Sequence, residues 1–204
     1  MQGDAERIIP LYDSYAAEWD LTRSRHLSER AWLDRFCALL PAGGSVLDLG
    51  CGMAEPIARH LIEAGYRVTG VDASPAMIAL CRQRFPDQDW IVADMRGLAL
   101  GRRFDGILAW DSFFHLRATD QQRMFPIFRT HAAAGAALLF TSGPDRGEAI
   151  GCWQGQPLYH ASLAPDDYRA LLVANSFSVV RMISNDPDCT GHTVWLARRN
   201  PTAR

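Results

Sequence analysis

The sequence predicts an α/β protein built on a doubly wound, mostly parallel sheet with helices on both faces. Two observations carry that prediction. From Ser45 onward, short apolar runs of strand-forming residues alternate with segments whose apolar residues recur at helical spacing. Such alternation builds a parallel sheet through right-handed crossovers. At 204 residues the chain is also long enough for one well-developed core and short for two, so a single domain over 1–204 is expected.

The elements follow in order. Residues 6–20, ERIIPLYDSYAAEWD, set Leu11, Tyr12, Tyr15, Ala16 and Trp19 at helical spacing and open a helical cap over 1–40. Ser45–Leu49 reads as a buried strand, 55–64 as a helix turning Ile57, Ala58, Leu61 and Ile62 inward, and 66–71 as the next strand. Pro75 opens a helix with Met77, Leu80, Cys81 and Phe85 on one face. Two further strands cover 89–93 and 104–110. The run T-D-Q-Q at 119–122 matches a capping box and starts a helix to His131, in which Pro126 predicts a kink or a late start. Residues 136–142 form another buried strand.

The stretch 143–161, GPDRGEAIGCWQGQPLYHA, is glycine-rich and holds Trp153, Tyr159 and His160. It is too long for a simple connection, which suggests a substrate-facing lid. Pro165 opens a last helix, with Asp166 and Asp167 in its favourable first turn. FSVVRMIS and HTVWLA, joined by NDPDCTG, form a closing hairpin that adds an antiparallel strand and brings the sheet to seven.

Composition narrows the function. The formal net charge is −2, with no basic face to grip a nucleic acid backbone. No apolar run reaches membrane-spanning length, and MQGDAERII carries acidic residues where a signal peptide would be basic and then apolar. The expectation is a cytoplasmic protein with no membrane and no nucleic acid partner. Five cysteines, without a Cys-x-x-Cys pair, suit reduced thiols, and neither cysteine nor histidine spacing predicts a metal site.

The stretch VLDLGCGMAEP (46–56) runs a strand into a glycine turn and then toward a helix, with Asp48, Gly50 and Gly52 at the strand end. Glycine there permits positive φ and lets a ligand lie against the main chain. The dinucleotide fingerprint G-x-G-x-x-G would want its third glycine where Glu55 stands. A carboxylate there repels a pyrophosphate, and Pro56 removes an amide that such a site uses. The nicotinamide reading is therefore disfavoured.

The pattern D-x-G-x-G instead resembles motif I of the class I S-adenosylmethionine-dependent methyltransferases. Three later stretches agree in order: GVDAS with Asp72, VADMR with Asp94 and Met95, and FDGILAWDSFFHL, which resembles motif IV. The resemblance spans 12–198 and implies a Rossmann-like fold with S-adenosylmethionine as cofactor. By that resemblance Asp72 holds the ribose hydroxyls, and Asp94 and Met95 contact the adenine. Asp48, Gly50, Cys51, Gly52, Met53, Ala73, Met77 and Trp110 complete the cofactor wall. Y-D-x-x-A-x-x-W-D looks like the cap over the methionyl end, which brings in Tyr15 and Trp19, with Arg23 or Arg25 available to the methionine carboxylate. Ala54 departs from the family's third glycine and reduces the space beside the cofactor.

The resemblance implies methyl transfer to a small-molecule acceptor by in-line displacement, by a monomer or homodimer. Nucleic acid is disfavoured again because AWDSFF lacks the prolines of DNA amino-methyltransferases. Candidate catalytic residues are Asp111, His115, Tyr159 and His160, with Ser112, Ser142 and His192 also beyond strand ends. The base, if one is used, stays open among them. The alternative is a non-catalytic S-adenosylmethionine-binding protein.

Overall fold

The structure is a computed structural model and describes residues 3–201. Its main sheet contains β1 (Ser45–Leu49), β2 (Arg67–Asp72), β3 (Asp89–Val92), β4 (Phe104–Ala109), β5 (Ala132–Ser142), β8 (Phe177–Asp186) and β9 (His192–Arg199). The order is β3-β2-β1-β4-β5-β9-β8. The first five strands are mutually parallel, and β9 runs antiparallel between β5 and β8. The chain leaves β3 at the edge and returns to place β4 beside β1. That reversal opens a crevice at the carboxyl ends of β1 and β4, where folds of this kind take ligands.

Successive strand residues face opposite sides, which splits the core into two layers. Leu47, Leu49 and Ile107 join Phe113, Phe125, Phe128, Phe140, Tyr168 and Trp195 under α6 (Ala118–His131) and α7 (Pro165–Ala174). Val46, Val68, Leu108 and Leu139 join Trp32 and Phe36 of α3 (Arg30–Cys37), Leu61 of α4 (Ile57–Glu63) and Ile78 of α5 (Pro75–Arg84) on the other side. The N-terminal run breaks at Tyr15 into α1 (Ile8–Ser14) and α2 (Ala16–Thr22). Asp13 docks α1 onto the start of α5 by accepting from Ser74 Oγ at 2.6 Å and the Ala76 amide at 3.0 Å.

Two expectations are corrected. T-D-Q-Q does not cap α6, which starts at Ala118 with Arg117 as its uncapped N-cap residue. Gln121 is instead buried, donating to the carbonyls of Leu116 and Ala161 and accepting from the Tyr168 hydroxyl. Nor does Pro126 delay the helix, which is continuous from 118 to 131 around it.

Within 143–161, expected as a substrate-facing lid, the chain forms a regular antiparallel hairpin, β6 (Gly147–Trp153) with β7 (Gln156–Ser162), as a separate two-stranded sheet. Gln154 and Gly155 turn it with φ of +52° and +70°. Two consecutive positive φ values are what a tight two-residue hairpin requires.

Candidate functional site

The glycine turn after β1 is shaped by contacts from two directions. Gly50 has φ +72°, and a Cβ there would lie 2.2 Å from Cβ of Ser112, whose hydroxyl donates to the Leu49 carbonyl at 2.7 Å. A Cβ on Gly52 would face the crevice, with Trp19 Nε1 as its nearest neighbour at 4.0 Å. Ala54 takes φ +69°, a conformation that costs alanine more than glycine, and its methyl is buried. At the end of β2, Asp72 accepts from the amides of Gly52 and Ser74, each at 2.9 Å. Burial raises its pKa despite those bonds. Burial and the charge of Asp72 push the neighbouring Asp48 up to about 7.

The first cavity of the crevice is lined by Trp19, Asp48, Gly50, Cys51, Gly52, Met53, Asp72, Ala73, Met77, Asp94, Met95 and Trp110. Those are the residues expected at a cofactor wall, less one. Tyr15 does not line it; its ring stands edge-on to Trp153 at 5.7 Å. Asp94 lines it while also accepting from the amide and guanidinium of Arg96. Glu55 is not a bare repelling carboxylate, because Arg25, Arg59 and Arg84 surround it. With Arg25 committed to Glu55 and Asp20, Arg23 is the arginine that lines the crevice.

A second cavity lies against the first. Six residues line both: Tyr12, Trp19, Arg23, Trp110, Asp111 and His115. Beyond this seam the walls are Glu29, Phe114, Trp153, Leu158, His160 and His192, among others. Trp153, at the end of β6, stacks on Tyr12 at 5.6 Å and meets Trp19 edge-on at 5.2 Å, so the hairpin closes directly onto the N-terminal helices. Glu29 was not singled out from sequence. It stands at the entry to α3 among polar residues, and nothing in the local pattern marks its side chain as buried.

Asp111 follows β4 with φ +48° and is fixed by its amide donating to Thr141 Oγ1. Its carboxylate lies 3.4 Å from Arg23 and 3.1 Å from His192 Nε2. Burial alone would raise its pKa, but His192 and Arg23 bring it below the ordinary carboxylate value. Reciprocally, the Asp111 carboxylate raises the pKa of His192 against the effect of burial.

His115 is arranged differently. Its Nδ1 lies 2.7 Å from the Tyr159 carbonyl, which only accepts, so Nδ1 carries the proton and Nε2 accepts from the Tyr12 hydroxyl at 3.2 Å. Burial lowers its pKa to about 4. His115 is thus a neutral ring that fixes Tyr12 and ties the seam to the hairpin.

The expectation for Tyr159 is corrected. Its side chain lines no cavity of the crevice and packs with Ile8 and Ala161, and its hydroxyl is buried without a hydrogen-bond partner. Burial raises the phenol to about 12, out of reach of base chemistry at neutral pH. Tyr159→Ala is expected to cost on the order of 3–5 kcal/mol of stability by opening a cavity. Tyr159→Phe should leave turnover per folded molecule nearly unchanged, since the hydroxyl lies toward Glu148 and lines neither cavity of the crevice. A large loss of turnover in the phenylalanine variant would return the hydroxyl to catalysis. His160, by contrast, lines the second cavity, its ring 5.2 Å from Phe114, and burial lowers its pKa.

Among the described residues, no helix is long and apolar enough to cross a membrane, and no group of three or more His, Cys, Asp or Glu is placed to hold a metal ion. All five cysteines are free thiols.

Comparison with known proteins gives matches to this core. Residues 46–135 match the family described as Methyltransferase domain. A putative methyltransferase, YqeM of Bacillus subtilis (strain 168), is 32% identical over 112 residues, covering 52% of this chain and 44% of that protein. A dTDP-3-amino-3,6-dideoxy-alpha-D-glucopyranose N,N-dimethyltransferase of Streptomyces fradiae is 38% identical over 77 residues, covering 37% of this chain and 30% of that one. The chain thus spans less than half the length of these curated relatives. Among solved structures, the DhpI–SAH complex superposes with a TM-score of 0.76 over 98% of this chain and 99% of that one, at 22% identity, a likeness of fold.

Proposed function

We propose that this chain, whose residues 46–135 match a methyltransferase domain family and whose fold is shared with the DhpI–SAH complex, transfers a methyl group from S-adenosylmethionine to a small-molecule acceptor. The observation that carries this reading is the pair of cavities joined at one seam. One cavity has the features of a nucleoside site, and the other offers room for an acceptor on the far side of the same six residues.

The residues of the first cavity fit the cofactor. The half-buried Asp72 carboxylate has lone pairs left for ribose hydroxyls after its two amide bonds. Gly52 leaves open space where a side chain would intrude, and Val71, Met77 and Met95 give the apolar walls a purine needs. Arg23, over the face of Trp19 at 5.3 Å, is held at the seam by Asp111. S-adenosylmethionine supplies a sulfonium-activated methyl group together with its own leaving group.

The chain's own residues then have two tasks, alignment and proton removal. Tyr12, held by His115, and Trp19, Trp110 and Trp153 align the acceptor and exclude water. The Asp111–His192 pair is the proton acceptor, because its histidine faces the second cavity and its carboxylate stands at the seam.

Ligand-dependent melting tests the cofactor. S-adenosylhomocysteine at a hundredfold over its Kd adds about 2.7 kcal/mol, which raises the melting temperature of a domain this size by about 5–10 °C. NAD and NADP should add nothing. The arginines around Glu55 offset its charge, but Pro56 still withholds an amide and the Ala54 methyl still fills the loop. Equal stabilisation by a dinucleotide would overturn the reading.

A further inference from the structure

We infer that the second cavity seats an acceptor that carries an ammonium group, read by the Glu29 carboxylate within walls of tryptophan and phenylalanine. The designation of this cavity as an acceptor site rests on the methyl-transfer reading above; the charge of its occupant rests on the following observations.

Glu29 lines the cavity and is only 5% exposed. Its Oε1 is fully buried with no hydrogen-bond partner. The residue holds the start of α3 through its carbonyl, which accepts from Trp32 and Leu33, and the carboxylate takes no part in that cap. A buried carboxylate without a donor is costly, and chains retain one mainly where something else supplies the donor. Asp111 Oδ1, on the same cavity, is also buried and lacks an aligned donor despite its ionic contact with His192.

The neighbouring charges point the same way. Arg23 is committed to Asp111 and to the face of Trp19. His192 is paired with Asp111, and burial favours the neutral form of His160. Arg23 and His192 act on Glu29 only through space, and no side chain in the walls donates a hydrogen bond to its Oε1. Burial raises its pKa, opposed by a hydrogen bond from its own backbone amide and by the charges of Arg23 and His192.

An ammonium group donates hydrogen bonds and carries a positive charge, and Trp110, Phe114 and Trp153 add aromatic walls beside it. A carboxylate-bearing acceptor would meet Glu29 and Asp111 as like charges. A neutral alcohol would meet the donor requirement but bring no positive charge.

The test compares three probes of one shape: 2-phenylethylamine, 2-phenylethanol and phenylacetate. Binding is measured by calorimetry or ligand-observed NMR to the protein saturated with S-adenosylhomocysteine, and again without it. The expected result is a preference of tenfold or more for the amine, reduced about tenfold by Glu29→Gln with S-adenosylhomocysteine affinity unchanged. Equal or tighter binding of the alcohol or the carboxylate overturns the inference, and that comparison needs no variant. An amine affinity insensitive to Glu29→Gln also overturns it. Absence of S-adenosylhomocysteine binding would instead defeat the cofactor reading, while the probe series on the unliganded protein still decides the charge of the cavity's occupant.

Discussion

Asp72→Ala is expected to weaken S-adenosylmethionine binding by tenfold or more while the fold persists. The carboxylate sits at the end of β2, in the wall of the first cavity, where its oxygens already accept the Gly52 and Ser74 amides. Two ribose hydroxyls would add two charge-assisted bonds, each about 1.5–3 kcal/mol, and about 1.4 kcal/mol corresponds to tenfold in Kd. Because Asp72 also fixes the Gly52 amide, alanine loosens the glycine turn as well. Asp72→Asn keeps an acceptor oxygen but not the charge, and should fall between wild type and alanine. Acidification acts in the same direction. Burial raises the pKa of Asp72, so protonation weakens binding at a higher pH than for a surface aspartate. Calorimetry on folded variants reads all three effects, and an unchanged affinity for Asp72→Ala would remove Asp72 from the ribose site.

The features most legible in the sequence were those whose signal is local. Buried parallel strands are continuous apolar runs, so VLDL, VTGV and GILA announce themselves, and the acidic residues at strand ends follow in register. The hairpin 147–162 was harder, because β6 is exposed along most of its length and lacks the alternation of a half-buried strand. Its turn is Gln-Gly, a weaker signal than Asn-Gly. Glu55 was misjudged for another reason. Arg59 is readable as its i+4 partner, but Arg25 and Arg84 arrive from separate elements, and only the fold turns a repelling carboxylate into a compensated one. The same limit hid the burial of Glu29. It also hid the division of labour between the candidate histidines, since His115 and His192 differ only in what the tertiary structure sets beside them: a carbonyl and a phenol for one, a carboxylate for the other.

That difference leads to the larger kinetic effect, expected for Asp111→Asn. Asparagine is among the residues that best tolerate the φ of +48° at this position, so the backbone turn should survive. What is lost is the charge beside His192. In the wild type the Asp111 carboxylate raises the pKa of His192, which in the proposed mechanism would stabilise the imidazolium formed on taking a proton from the acceptor. Only the neutral ring can accept that proton, so the rate should rise with pH through the raised pKa and level off above it. In Asp111→Asn the midpoint moves to lower pH, and the plateau falls because the imidazolium has lost its counter-charge. Proton transfer by a positioned side chain is typically worth about 10²–10⁴ in rate, and we expect the plateau to drop by about a hundredfold or more. Asp72 and the glycine turn are untouched, so S-adenosylhomocysteine affinity should change far less than turnover. NMR titration of His192 checks the pKa shift without any acceptor. A purely structural Asp111 would give a lower melting temperature with an unshifted pH midpoint and normal turnover per folded molecule, and that outcome would remove the Asp111–His192 pair from the chemistry.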